Sequence, residues 1–209
     1  MEDNKIIEKI KNINLKVLLL GFILGILVFF GVRFVTYTPP KEVHYHANFA
    51  VYIDGQREKF ENPFYYQEIT TCSIDSDGDP AHRVHMHDNI SDLIHVHAPA
   101  VTWGNFFQNI GWNVGKGYID TSDKLLVNEN GKKLNFVLNG EAIDDITTKI
   151  IGDRDKLLVS YGDDSKDQLK NQFDSVPASA EEFDNNQDPA SCSGNHKENT
   201  VKDRLKNLL

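Results

Sequence analysis

The feature that most constrains this chain is an uninterrupted apolar run near its start. Residues 17–32 carry no charge and consist only of Leu, Ile, Val, Phe and Gly. With Leu15 and Lys16 before it and Arg33, Phe34 and Val35 after it, the stretch reaches about twenty residues. As a helix that is about 30 Å, the thickness of a bilayer's hydrocarbon core. Lys16 and Arg33 stand where long stems snorkel to headgroups, and Tyr37 where interfacial aromatics collect. A buried core helix is rarely so uniformly apolar. The run also exceeds the apolar region of a cleaved signal, and residues 35–39 offer no A-x-A-like site. The sequence therefore predicts an uncleaved, single-pass transmembrane helix over 15–37. Lys5, Lys9, Lys11 and Lys16 precede it, while only Arg33 and Lys41 follow closely. By the positive-inside rule residues 1–14 stay in the cytoplasm and the rest lies outside, at the cell membrane.

Beyond the span the chain reads as a linker (38–43), a folded domain (44–162) and a polar, mostly flexible tail (163–209). Pro39 and Pro40 make the linker stiff and extended. From Asp163 onward Asp, Asn, Gln, Ser and Lys dominate, which predicts a solvated tail with short helices over 166–173 and 200–209. The formal net charge of −9 excludes an electrostatic fit to nucleic acid.

Within the domain the expected class is α+β: small β-hairpins around one short helix. Residues 44–53 alternate with the period of a half-buried strand, and Asp54-Gly55 is a type I′ hairpin pair. Residues 133–138, Asn139-Gly140 and 141–143 repeat the device, and 156–161 read as a last apolar strand. Thr102 is placed to cap a helix carrying Phe106, Phe107 and Ile110, which Gly111 can end. The order from Leu93 onward (strand, helix, hairpin, final strand) resembles a β-grasp.

The chemistry lies in the histidines. Seven of the eight fall between His44 and His97, six of them as H-x-H pairs: His44/His46, His85/His87 and His95/His97. On a strand, residues two apart share a face, so each pair presents two imidazoles side by side. Imidazole suits zinc and copper, with nickel or iron less exclusive. Residues 89–92 would turn the second pair back on the third. In an antiparallel hairpin, opposed residues have a constant sum of numbers. Burying Val84 and Met86 together with Ile94 and Val96 requires an even sum, which also puts His85, His87, His95 and His97 on one face. A sum of 182 would set His87 opposite His95 and His85 opposite His97. Cross-strand neighbours lie about 5 Å apart at Cβ, close enough to converge on one ion. His44 and His46 would complete a second cluster if their strand lies alongside. Histidines that merely decorate the wet face of a sheet are the plain alternative. His82 and His196 read as incidental; Asp88 and Cys72 are possible extra ligands.

Other signals are weaker. Residues 75–79 resemble a calcium loop but lack its glutamate, and a polar turn is the simpler reading. Residues 111–117 contain Gly-Lys without P-loop spacing, and neither G-x-S-x-G nor H-E-x-x-H occurs. Two cysteines, Cys72 and Cys192, could form one disulfide outside the cytoplasm; there is no C-x-x-C.

The segments 44–49 (HYHANF), 85–107 with HMHD, HVHA and TWGNFF, and 188–194 (DPASCSG) resemble an uncharacterised family of small bacterial proteins. Its members have one N-terminal membrane span and a His-rich extracytoplasmic domain. The resemblance covers most of the chain after the span and is most specific from HMHD to TWGNFF. It implies no particular activity or catalytic residue. Some members carry a disulfide-isomerase label, which the missing C-x-x-C does not suit. Three functions follow as expectations. The first is a metal-binding module taking copper or zinc; the second, a metal enzyme with an open coordination position; the third, an interaction protein without metal. Four closed histidines would favour the module, and three with a free position the enzyme.

Overall fold

The computed structural model describes residues 15–38, 43–66, 80–86, 88–121, 123–185 and 201–208. The chain divides into two units: Met1–Lys41 with His196–Leu209, and Glu42–Asn195. In the first, the apolar run is helix α1 (Leu15–Thr36), none of whose residues is buried by protein. It is long and apolar enough to cross a membrane. No charged side chain interrupts its middle, and its end is closed by Thr36, whose Oγ1 donates to the Val32 carbonyl at 2.8 Å.

The second unit is a mixed α+β domain. Its elements run β1 (Tyr45–Ile53), β2 (Gln56–Arg57), β3 (Val84–His85), β4 (Leu93–Val96), α2 (Trp103–Asn109), β5 (Asn113–Gly115), β6 (Tyr118–Asp120), β7 (Leu125–Val127), β8 (Lys133–Leu138), β9 (Glu141–Ile143), β10 (Lys156–Gly162), α3 (Lys166–Asp174) and α4 (Ala180–Asn185). The main sheet has the order β3-β4-β1-β10-β8-β9, with β2 also paired to β1. At its centre β1 and β10, the first and last strands, run parallel, as in a β-grasp; the β1/β2, β3/β4 and β8/β9 pairs are antiparallel. The turns match their sequence signals. Asp54 and Gly55 have φ of 50° and 75°, and Asn139 and Gly140 φ of 53° and 87°, the left-handed pairs that a type I′ turn demands.

One face of the sheet holds the main core. Thr102 caps α2 by accepting from the Asn105 amide, while Asn105 reaches back to the Thr102 amide. That fixes the helix so that Trp103, Phe106 and Phe107 bury against Phe49 and its neighbours on the sheet. Gly104 is there because the helix touches backbone: an added Cβ would lie 2.5 Å from the Thr147 carbonyl oxygen.

Three points differ from the sequence reading. β1 was expected to be half-buried, yet both its faces are covered over most of its length. The cover on the second face comes from the supposed tail: α3 and α4 belong to this unit, and Val176 packs with Ala50 and Leu158 beneath Leu169 and Phe173. Their polar composition reflects their solvent faces, and the few apolar residues sit at the contact. Finally, β5, β6 and β7 form a separate three-stranded sheet that no periodicity announced, because its strands are only three residues long.

Candidate metal centre

The site is assembled on the second face of β1, β4 and β3. β4 pairs with both neighbours, setting His46 opposite His95 on one side and His85 opposite His95 on the other. Because side chains alternate, His44 joins His46 and His97 joins His95 on that same face. The imidazoles of His44, His85, His95 and His97 stack, and that of His46 stands edge-on to His44 and His95. Ring centroids are 4.4 Å apart for His46 and His95, 4.7 Å for His44 and His97, 5.1 Å for His85 and His97, and 5.9 Å for His85 and His95. His46, His85 and His95 are buried, and His44 and His97 are half-buried at the rim.

The histidines share the face that an even sum requires, at a different offset. The β3/β4 sum is 180, not 182, so His85 meets His95 and not His97. A shift of two residues leaves every side chain on its face. β1 holds β4 as far back as Leu93 through the Asn48–Leu93 pairing and the Phe49 amide bond to the Asp92 carbonyl. Asp88 and Asn89, which a sum of 182 would pair with Ile94 and Leu93, instead open the turn, with φ of 56° each. His44 and His46 do not form a second cluster; their strand adjoins β4 and completes a single one. His87, His196, Cys72 and Cys192 lie outside the described residues, as does the 75–79 turn. Asp88 is exposed on the hairpin turn.

The chain's far end finishes the centre. Asp184 of α4 accepts through Oδ1 from both the His46 backbone amide at 3.2 Å and the His46 ring Nδ1 at 2.7 Å. A carboxylate only accepts, so the proton of neutral His46 sits on Nδ1 and its Nε2 carries a lone pair. Nε2 faces His95 Nδ1 at 2.9 Å, which in turn donates, leaving the His95 proton on Nδ1. Asp184 Oδ2 accepts from Arg154 Nε at 3.0 Å, and Arg154 Nη1 also donates to Glu181 at 2.9 Å. Burial works to raise the Asp184 carboxyl, but the hydrogen bonds from His46 and Arg154 together hold it below the usual carboxylate range. Asp153 moves the opposite way, raised by burial and by the neighbouring Asp184 charge. Arg154 stands in the left-handed region, φ 61°, with its amide bonded to the His46 carbonyl. Helix α4 is seated by Asn48, whose Oδ1 accepts from the Ala180 amide at 2.9 Å while its Nδ2 donates to the Asp92 carbonyl and Ser179 Oγ. Phe183 then closes over the His46 ring, centroids 5.9 Å apart.

Three of the histidines are positioned to coordinate a metal ion: ligand atoms of His44, His46 and His95 lie within 4.8 Å of one another. Nitrogens bound to one tetrahedral zinc sit about 3.3 Å apart, so a set spread over as much as 4.8 Å has to close by up to about 1.5 Å, and an ion would displace the proton shared between His46 Nε2 and His95 Nδ1. The donor chemistry fits, since His46 offers Nε2 with its other nitrogen held by a carboxylate, the arrangement that orients histidine ligands in metalloproteins. Sequence reasoning missed Asp184, Arg154 and Asn48. Only Asn48, polar inside the 44–53 strand, carried any local signal. No known protein family, curated protein or solved structure matches this chain. Neither the family resemblance nor the disulfide-isomerase label draws support from these comparisons.

Proposed function

We propose that this protein is a membrane-anchored, extracytoplasmic metal-binding module that takes copper or zinc through His44, His46 and His95, with His85 and His97 alongside. His87, next to His85 in sequence, remains a candidate ligand on the same reading. The observation that carries the proposal is His46. Its ring is fixed through Nδ1 by Asp184 while Nε2 is presented to the cluster, which a decorative surface histidine would not need. When bound, such an ion would supply a fixed positive charge and Lewis acidity. The chain's own part is to hold unprotonated nitrogens in place and to shield them from water. His46 and His95, each 1% exposed, suit retention, and half-buried His44 and His97 suit entry and exit.

A metal enzyme is the second reading, favoured by one fact: among the described residues the converging set has three members, the number that goes with an open coordination position. The closure by Phe183 and α4 on the inner side weighs toward binding and handing on. The lysines ahead of α1 favour a domain outside the cytoplasm.

Titration of the full chain with copper or zinc in detergent tests the reading. At a free ion concentration about a hundredfold above Kd, the native state gains about 2.7 kcal/mol, which moves Tm by about 5–10 °C. His46→Ala with His95→Ala should abolish the rise, and affinity should weaken on acidification, because protons compete with the metal for the ring nitrogens. An unchanged Tm with both metals near neutral pH would remove the proposal. For orientation, a reporter fused after Leu209 should be active only outside the cytoplasm, and cytoplasmic activity would reverse the topology.

A further inference from the structure

We propose that the C-terminal helix α5 (Val201–Lys206) is a second membrane contact, docked on the headgroup layer of the bilayer that holds α1. The proposal rests on the reading of α1 as a span and is independent of the histidine cluster.

The last four carbonyls of a helix have no partner within it and carry the negative end of its dipole. Leaving such groups bare against hydrocarbon is costly. Arg204 of α5 supplies them: its Nη1 donates to the Phe34 carbonyl at 2.8 Å and the Val35 carbonyl at 3.2 Å. Its guanidinium also lies 5.7 Å from the centre of the Phe34 ring. Phe34 and Val35 are the final apolar residues of the run, so whatever binds their carbonyls sits at the depth where hydrocarbon gives way to headgroups. The chain's last segment is thereby held at the membrane interface by the anchor itself.

The rest of α5 suits that depth. Val201 and Leu205, four residues apart, share a helix face and are 65% and 53% exposed within the protein. Leu208 continues the stripe one turn further on, its amide bonded to the Leu205 carbonyl. Lys202 and Lys206, also four apart, flank the stripe with Arg204, against the single acidic residue Asp203. An apolar stripe bordered by cations is the pattern of a helix lying in the interface, with its aliphatic side at the acyl boundary and its lysines at anionic phosphates. Exposed Val and Leu beside a membrane span are thus covered by lipid. The same short helix in bulk water would gain nothing from that arrangement.

The test uses the full chain, with both cysteines retained, in phosphatidylglycerol-containing vesicles. An environment-sensitive fluorescent side chain is incorporated at Val28 in the span or at Leu205 in α5. The Val28 probe should be quenched by acyl-chain-labelled lipid. The Leu205 probe should shift to shorter wavelength and be quenched by headgroup-labelled lipid, and Lys202→Glu with Lys206→Glu should abolish that quenching. Water-like emission at Leu205 with Val28 quenched would overturn the proposal and leave the span intact. Water-like emission at both positions would overturn the span as well. Undiminished quenching in the charge-reversed variant would refute the role of the lysines.

Discussion

Replacing Asp184 by Asn is the sharpest perturbation of the centre, because it changes one atom type and leaves every proposed ligand in place. Asp184 Oδ1 holds His46 at 2.7 Å through Nδ1 and again through the backbone amide, and Oδ2 holds Arg154. The amide can still accept from Nδ1, so the ring keeps its tautomer. What is lost is the negative charge that raises the basicity of Nε2, together with one of the two contacts that fix the rotamer. Changes of this kind lower metal affinity about 10- to 100-fold, or about 1.4–2.7 kcal/mol. Asp184 is 14% exposed, so solvent screens little of the effect. Glu181 provides the contrast. It binds the same Arg154 but is 67% exposed and touches no histidine, so Glu181→Gln should change affinity by less than about twofold. The assay is competition of copper and zinc against a chromophoric chelator, with far-UV circular dichroism confirming that each variant folds. A folded Asp184→Asn protein of unchanged affinity would refute the claim that Asp184 tunes His46. Equal losses in the Asp184 and Glu181 variants would assign the effect to α4 docking in general.

Two further outcomes are expected. Gly104→Ala would place a Cβ 2.5 Å from the Thr147 carbonyl oxygen, and backbone cannot yield as a side chain can; the denaturation midpoint should fall by the equivalent of about 1–3 kcal/mol. Asp145 is held below its usual pKa by the Thr147 hydroxyl and amide, at 2.6 and 2.8 Å. Because the folded value is the lower one, its contribution is complete above the unfolded value and is lost as pH falls through the folded one. Asp145→Asn should therefore flatten stability against pH in the acid range, by less than about 1 kcal/mol, and an unchanged acid profile would dismiss the interaction.

Local physics made much of this protein legible. The long apolar helix, sufficient to cross a membrane, follows from length and apolarity alone, since α1 needs no tertiary partner to specify it. The Asp54-Gly55 and Asn139-Gly140 turns, the Thr102 cap and the Gly111 stop each depend on a few adjacent residues, and all four stand where those residues predict. The common face of His85, His95 and His97 was legible for a related reason. Strand parity and the need to bury Val84, Met86, Ile94 and Val96 permit only even registers, and every even register leaves the imidazoles together. The particular register goes with the turn, which Asp88 and Asn89 open in left-handed conformation, while β4 pairs with β1 from Leu93 onward. That pairing also merged His44 and His46 with the others, where the hairpin alone suggested two clusters. The closure of the centre was beyond sequence reasoning altogether. Asp184 is 138 residues from His46, in a segment whose polar composition reads as solvated. Its helix is seated by Asn48 and by a handful of apolar contacts. Periodicity and capping act over a few residues and are written in the sequence. The meeting of β1 with α4 depends on surfaces that exist only once the sheet has formed, so only the tertiary structure could place a carboxylate behind the histidine.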